Sequence, residues 1–395
     1  MSVLLDNILF FDNETTIKHK GNPFTRSNFL VSVSSATGNS QPQFSYYREP
    51  SFLTTLQLQL QQCKRIVGIN LKFDIHWIRR AGLSIPEDIE VWDCAVAEYR
   101  MSGQKHVFPS MDDMCDLYGI PNKQGGLEEF WNAGVSTEDI PYNIVKDYNN
   151  DDIHRTRAIY AFQTQDVRLS KTKNLQKQIL LDGQDLLVLE DMEYNGIKYN
   201  TETSTQLAVT YECELRSINE WFYGLAGTNK INLDSGDHLS ALLFGGYFET
   251  SDSIPETRIY KSGPNKGIEY TRNVTVNQAV HRFDGFFNPI PGTQLKKSTK
   301  ERPIFATSDE VLTQLSKRSK LQRSIIEKLQ RRSELSKLTG TYLQAFPELI
   351  DKMEWDGYLH GQFNQVVAAT GRLSSSNPNL QNTPPIADQM LITRF

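Results

Sequence analysis

The stretch Ile8-Leu9-Phe10-Phe11-Asp12-Asn13-Glu14-Thr15-Thr16 frames this chain. Four apolar residues read as a strand, and the strand ends on two acids at alternating positions. Residues two apart in a strand point to one face, so Asp12 and Glu14 either stand as solvated turn charges or converge on one cation. Phe29–Ser34 and Phe44–Tyr47 read as the next strands, Leu53–Cys63 as an amphipathic helix and Arg65–Ile69 as a further strand. Helical patterns follow at Ile75–Arg80, around Cys94–Arg100 and over Ile153–Leu180. This order predicts a mixed α/β domain with an open sheet in the first half of the chain.

Two more acids stand at comparable places. Gly68-Ile69-Asn70-Leu71-Lys72-Phe73-Asp74 runs from an apolar strand through a polar turn into a helix. Phe162-Gln163-Thr164-Gln165-Asp166-Val167 puts Asp166 among apolar residues at helical spacing on the long helical pattern. Carboxylates at element ends are hard oxygen donors of the kind that Mg²⁺ or Mn²⁺ takes.

Composition sets outer limits. The 395 residues allow two or three domains, and 38% apolar with 23% charged residues is ordinary for a globular protein. Residues 1–6 have no basic region before an apolar run, and no stretch is long and apolar enough to span a bilayer, so a cytoplasmic protein is expected, in a host's cytoplasm if the source is viral. Cys63, Cys94, Cys115 and Cys213 form no Cys-x-x-Cys pair, which predicts reduced, structural thiols. Residues 1–190 carry 24 acids against 19 bases and the remainder 23 of each, so the net charge of −5 belongs to the front half.

From about Gln184 the pattern changes. Leu186–Tyr194 reads as a helix meeting Gly196, and Thr203–Tyr223 as a longer one. Residues 251–302, rich in Gly, Pro, Ser, Thr and Lys, read as a long insertion or mobile loop whose basic end holds Lys296, Lys297, Lys300 and Arg302. Ser308–Thr339 is helical in pattern and carries Lys317, Arg318, Lys320, Arg323, Lys328, Arg331, Arg332 and Lys337, either a solvated face or a phosphate-binding one. Near the end stands Ala368-Ala369-Thr370-Gly371-Arg372-Leu373-Ser374-Ser375-Ser376-Asn377-Pro378-Asn379-Leu380-Gln381-Asn382. Its amides, hydroxyls and one guanidinium suit phosphates, sugars and minor-groove base edges, or else form a solvated loop.

Two resemblances join these observations. The run at 368–382, with His360, Asn364 and Gln365, resembles the stretch that opens the palm of family A DNA polymerases, the DNA polymerase I group, and Leu187–Gly196 resembles the start of their thumb. The four acids resemble the 3′→5′ proofreading exonuclease of the four-carboxylate class. The resemblance implies a ribonuclease H-like α/β exonuclease domain with a mixed sheet over 1–183, a mainly helical thumb over 184–352 with the basic insertion at about 251–302, and a short β palm stub over 353–395. It implies two Mg²⁺ or Mn²⁺ ions held by Asp12, Glu14, Asp74 and Asp166. Asn70 and Phe73 would grip a single-stranded 3′ end, with core packing the other reading of Phe73. His360, Asn364, Gln365, Arg372, Asn379, Gln381, Asn382, Lys296, Lys297 and Lys300 would contact primer-template DNA.

The sequence departs from that pattern in one place. The family puts a Tyr four residues before the third-motif Asp, where its hydroxyl orients the attacking water, and here that position is Phe162. A slower but active exonuclease is the expectation. The polymerising carboxylates of the family have no counterpart before Phe395, so the resemblance implies palm and fingers on a second chain, or lost, in a split or truncated phage-like DNA replication polymerase that does not polymerise alone. The alternative is a catalytically weak, exonuclease-fold DNA-binding or docking subunit. A stand-alone RNA-degrading exonuclease leaves residues 185–395 without a role.

Overall fold

The computed structural model describes residues 7–123, 125–385 and 390–392, so the reading of residues 1–6, and the ends of the expected first and last domains, lie outside the described residues. The chain forms two compact units, residues 1–203 with 345–395 and residues 204–344.

The first unit is built on a five-stranded sheet of order β3-β2-β1-β4-β5. Its strands are β1 (Ile8–Thr15), β2 (Leu30–Thr37), β3 (Gln43–Tyr46), β4 (Arg65–Gly68) and β5 (Glu90–Asp93). β1 pairs antiparallel with β2 and parallel with β4, so the sheet is mixed, as the order of patterns predicts. The helices are α1 (Thr54–Gln62), α2 (Leu71–Arg80), α3 (Cys94–Met101), α4 (Met111–Tyr118), α5 (Glu128–Asn132), α6 (Tyr142–Gln165), α7 (Val167–Lys171) and α8 (Leu175–Asn195).

The sheet is buried on both faces, which explains why its strands read as apolar runs. Ile8 and Phe10 enter a core with Trp92, Ile153, Ile159 and Tyr160. Leu9 and Phe11 enter a second core with Leu56, Leu60, Leu71 and Trp77. α6 meets the sheet through polar side chains as well, because Ser32 and Ser34 of β2 donate to Asn149 and Asn150 at 3.2 and 2.7 Å. α8 lies so close to β5 that a Cβ on Gly183 would stand 2.1 Å from the Val91 carbonyl oxygen.

After β6 (Ile197–Tyr199) come α9 (Thr201–Ala226), α10 (Gly236–Phe244), the strands β7 (Gly246–Ile259) and β8 (Glu269–Phe283), α11 (Asp309–Gln314) and α12 (Lys320–Leu338). Phe222, Leu242, Leu243, Phe248, Ile325, Ile326 and Leu335 form the core of the second unit. The chain then closes with α13 (Ala345–Lys352), β9 (Tyr358–Leu359), β10 (Gln362–Asn364), β11 (Ser374–Ser376) and β12 (Leu391–Ile392). β6 is flanked by β9 and β12, and β10 pairs with β11. Among the described residues no helix is long and apolar enough to cross a membrane. All four cysteines are free thiols.

Several elements differ from expectation. The helix expected at 153–180 is three helices: α6 begins at Tyr142, and the chain turns extended at Asp166, whose carboxylate caps α7 by accepting from the Arg168 N–H at 2.7 Å. The acids and amides of 147–152 hid its front half from an apolar-period reading. α8 runs unbroken through the boundary expected at 183. The expected loop at 251–302 is largely a ribbon, with Asp252 to Ile259 paired antiparallel to Glu269 to Val276. Thr257, Ile259, Thr271, Val274 and Thr275 favour strand by their branched Cβ, but both faces are solvated, so no alternation marks them. The helical region at 308–339 breaks between α11 and α12, where Ser319 and Gln322 form a capping box. The exposed strand expected over Tyr358–Val367 is two short paired strands with Leu359 and Val366 buried.

Candidate metal-binding site

Strand β1 sets the site. Asp12 and Glu14 continue the face that Ile8 and Phe10 bury, and α6 covers that face. Asp152 comes down from α6, so that one oxygen each from Asp12, Glu14 and Asp152 lies within 4.8 Å of the others. Glu14 and Asp152 are buried and Asp12 is half-buried. Asp74, in the first turn of α2, approaches from the opposite face of β1. Its Oδ1 accepts from the Asn13 N–H at 3.1 Å, and its carbonyl accepts from the Asn13 side chain at 3.0 Å.

Asp12 and Asp152 are oriented by neighbours on α6, and Asp152 also by Lys123. Asn149 Nδ2 donates to Asp12 Oδ2 at 2.6 Å, and its own Oδ1 accepts from Ser32. Arg155 donates to Asp152 Oδ1 at 2.7 Å, and Lys123 Nζ donates to Asp152 Oδ2 at 2.6 Å. Burial and the charge of Asp152 push Asp12 up to about 8. Burial, then Asp12 and Asp152, hold Glu14 well above the usual carboxylate range, and burial and Asp12 do the same to Asp74. Grouped carboxylates so raised are short of positive charge. All-oxygen donors with this deficit fit a hard divalent cation such as Mg²⁺ or Mn²⁺. The carboxamide oxygen of Asn13, buried and without a hydrogen-bond partner, adds a further hard donor beside Asp74.

The structure therefore corrects one expected ligand. Asp166 is not in the group: it caps α7 and pairs with Arg168 at 2.9 Å, which draws its carboxyl below the usual range. Phe162 is half exposed and stacks on Tyr118, with ring centroids 5.5 Å apart. Asp152 is the acid that α6 brings to Asp12 and Glu14, and four residues before it on α6 stands Tyr148. Burial and the acids Glu14, Asp152 and Asp12 hold the Tyr148 hydroxyl protonated, far above its ordinary range. The spacing Tyr148-x-x-x-Asp152 was present in the sequence. It lies ahead of the apolar period that reads as a helix from Ile153, among acids and amides that carry no such period.

The remaining expected contacts fall in several places. Asn70, exposed, begins α2 in the left-handed region at φ 58°. Phe73 is half-buried, packs against the second core and lines a cleft with Asn70, Asn364 and Ser376. His360 is held inside the first unit: it stacks on Phe24 at 4.1 Å, and its Nδ1 lies 2.8 Å from the Glu193 carbonyl oxygen. Asn364 donates to Ser376 and Gln365 to the Asp182 carbonyl. Arg372, Asn379, Gln381, Asn382, Lys296, Lys297 and Lys300 are exposed, and Lys297 pairs with Asp237 at 2.5 Å. On α12, Arg331 is engaged by Glu214 and Glu334, and Arg332 by Asp234, so those two bases are spent within the second unit.

Comparison with known proteins agrees with part of this reading. Residues 284–394 match the family model described as DNA polymerase family A. This chain is related to the family A DNA polymerases. DNA polymerase I of Treponema pallidum (strain Nichols) is 25% identical over 345 residues, 86% of this chain and 29% of that relative. The thermostable DNA polymerase I of Thermus aquaticus is 53% identical over 60 residues, 15% of this chain and 7% of its own length. The chain thus spans under a third of these family A relatives. Among solved structures, the POL domain of Pol1 from M. smegmatis, in complex with DNA primer-template and dNTP, superposes with a TM-score of 0.59 at 18% identity, over 95% of this chain and 52% of that one. That likeness is one of fold.

Proposed function

We propose that the first unit is a divalent-metal-dependent 3′→5′ exonuclease acting on DNA, in a protein that serves DNA replication as a family A polymerase relative. The convergence of Asp12, Glu14 and Asp152, with Asp74 beside them and Tyr148 one helical turn from Asp152, carries the reading. On this reading residues 204–344 correspond to the thumb and the segment from about 353 to the start of the palm, with Arg372, Asn379, Gln381 and Asn382 facing primer-template DNA.

Asp12, Glu14, Asp152 and Asp74 would hold two Mg²⁺ or Mn²⁺ ions. Bound there, such ions supply an activated water and charge to stabilise the leaving 3′ oxygen. The chain's own groups do the rest. Asn149 fixes the Asp12 carboxylate and Arg155 fixes Asp152, so that neither must reorganise during reaction. Tyr148, held protonated, keeps a hydrogen-bond donor at the edge of the acids, where an attacking water must be oriented. Phe73 and Asn70, at the mouth of a cleft, suit stacking and backbone contact with a single strand.

The reading of a docking subunit with a weakened site drew its support from Phe162. Phe162 stacks on Tyr118, and the place of Tyr148 four residues before Asp152 favours the nuclease reading. The test is digestion of a 5′-labelled single-stranded DNA with Mg²⁺ or Mn²⁺. A ladder shortening from the 3′ end, abolished in Asp12→Asn, is the expected result; equal products from both proteins would reject nuclease activity at this site.

A further inference from the structure

Lys123 stands between α4 and α5, in a segment that continues into Gly125 and Gly126. Its side chain is only 13% exposed, unusual for a lysine, whose ammonium is normally left in water. The ammonium is fully engaged: besides Asp152 Oδ2 it donates to the Tyr148 carbonyl at 2.9 Å and lies 3.0 Å from the centroid of the Tyr148 ring. It is thus clamped onto both residues that the exonuclease reading makes central on α6.

Asp152 carries two cations, and they are held differently. Arg155 is shared among Asp112 at 2.8 Å, Asp151 at 3.4 Å and Asp152 at 2.7 Å, from within the same helix and its neighbour. Among the described residues Lys123 pairs with no acid other than Asp152, and it reaches the site from a connecting segment where Gly125 adopts φ +80°. A dication among the oxygens of Asp12, Glu14 and Asp152 would meet this ammonium as a like charge in a buried place, where such repulsion is strong. Of the two cations on Asp152, Lys123 is the one whose departure breaks no second ion pair among the described residues.

We propose that Lys123 is an internal counter-ion of the carboxylate site, seated on Asp152 and Tyr148 in the metal-free protein and expelled when a divalent ion binds. The inference rests on the exonuclease reading. It makes metal affinity a property set by the segment from α4 to α5. Loading exchanges one ion pair for another, and Tyr148 is uncovered in the same event.

The experiment is titration of the full chain with Mn²⁺, read as free Mn²⁺ by electron paramagnetic resonance, for wild type, Lys123→Met and Asp12→Asn. Lys123→Met is expected to bind Mn²⁺ about tenfold tighter or more than wild type, since competition for Asp152 is removed. Should that variant not fold, wild type alone decides: acylation of Lys123 by an amine-specific reagent, followed by mass spectrometry, is expected to rise several-fold on adding Mn²⁺. Equal affinities in wild type and Lys123→Met, or acylation indifferent to Mn²⁺, would overturn the counter-ion while leaving the exonuclease intact. No Mn²⁺ bound by either protein at the Asp12-dependent site would remove both readings.

Discussion

The sequence points to Asp166 and the structure brings Asp152 to Asp12 and Glu14, and the surroundings of the two aspartates separate them. Asp152 is buried against Asp12 and Glu14, whereas Asp166 spends its carboxylate on the Arg168 N–H and guanidinium. Asp152→Asn should abolish metal-dependent digestion, and Asp166→Asn should leave it within about twofold, as compared on labelled single strands. Tyr148→Phe, which removes one hydrogen bond to a charged or reacting group of about 1.5–3 kcal/mol, should slow the reaction roughly ten- to a hundredfold. The same acids make stability depend on pH. A carboxyl raised in the folded state binds a proton that the unfolded chain has released, so its contribution is present below about pH 4 and is lost as pH rises through the folded value, about 8 for Asp12. The melting temperature without metal should therefore fall across that window, Mg²⁺ should restore it at the alkaline end, and Asp12→Asn should flatten the slope. Asp12 and Glu14 were legible from the strand that ends on them. Asp152 was not, because Arg155 and Arg168 are local neighbours of the two aspartates and do not tell them apart, while the meeting of Asp152 with Asp12, Glu14 and Lys123 exists only in the tertiary structure.

Elements were legible where burial imposes a period. β1 to β4, α1 and α3 were read within a few residues because their apolar residues repeat with the strand or helix spacing. α6 was half missed, since its first turns bind the sheet through Asn149 and Asn150 rather than through apolar side chains. The ribbon of β7 and β8 was missed for the opposite reason, having almost no buried residue from Ser251 onward. Such a ribbon adds little to the core that Phe248 anchors. Joining Thr250 to Ala279 through Asn-Gly should change the unfolding free energy of the second unit by no more than about 1 kcal/mol, as measured by urea titration. The contact of α8 with β5 has no such tolerance. Gly183→Ala would drive a methyl into the Val91 carbonyl and should destabilise the first unit by about 1–3 kcal/mol or more in the same assay.

Across the whole chain, distant segments meet in one buried ionic cluster that no local pattern announces. His76 of α2 lies 3.0 Å from Glu190 and 2.9 Å from Glu193 of α8, and Glu193 also accepts from Lys72 at 2.6 Å and from the Phe363 N–H at 2.6 Å. Lys72 donates in turn to the Phe363 carbonyl. Glu193→Ala leaves Lys72 without its carboxylate and the Phe363 N–H without its acceptor and should cost about 3–5 kcal/mol. Its signature is faster hydrogen exchange at 358–376 together with 71–80, not at α12. The polymerase relationship was legible because the run at 368–382 is long and particular, while the clamp that ties this run's neighbourhood to α2 and α8 depends on residues far apart in sequence.

The first unit is assembled from residues 1–203 and 345–395, with the whole of the second unit inserted between them. Phe363, the partner of Glu193 and Lys72, is therefore translated 170 residues after Glu193. On the ribosome, the five-stranded sheet emerges long before the strand that completes the cluster beneath it, and His76, Glu190 and Glu193 must wait as buried charges without their last donor. Residues 1–203 are thus joined late by residues 345–395, and the delay between the two should follow how fast the inserted unit is synthesised.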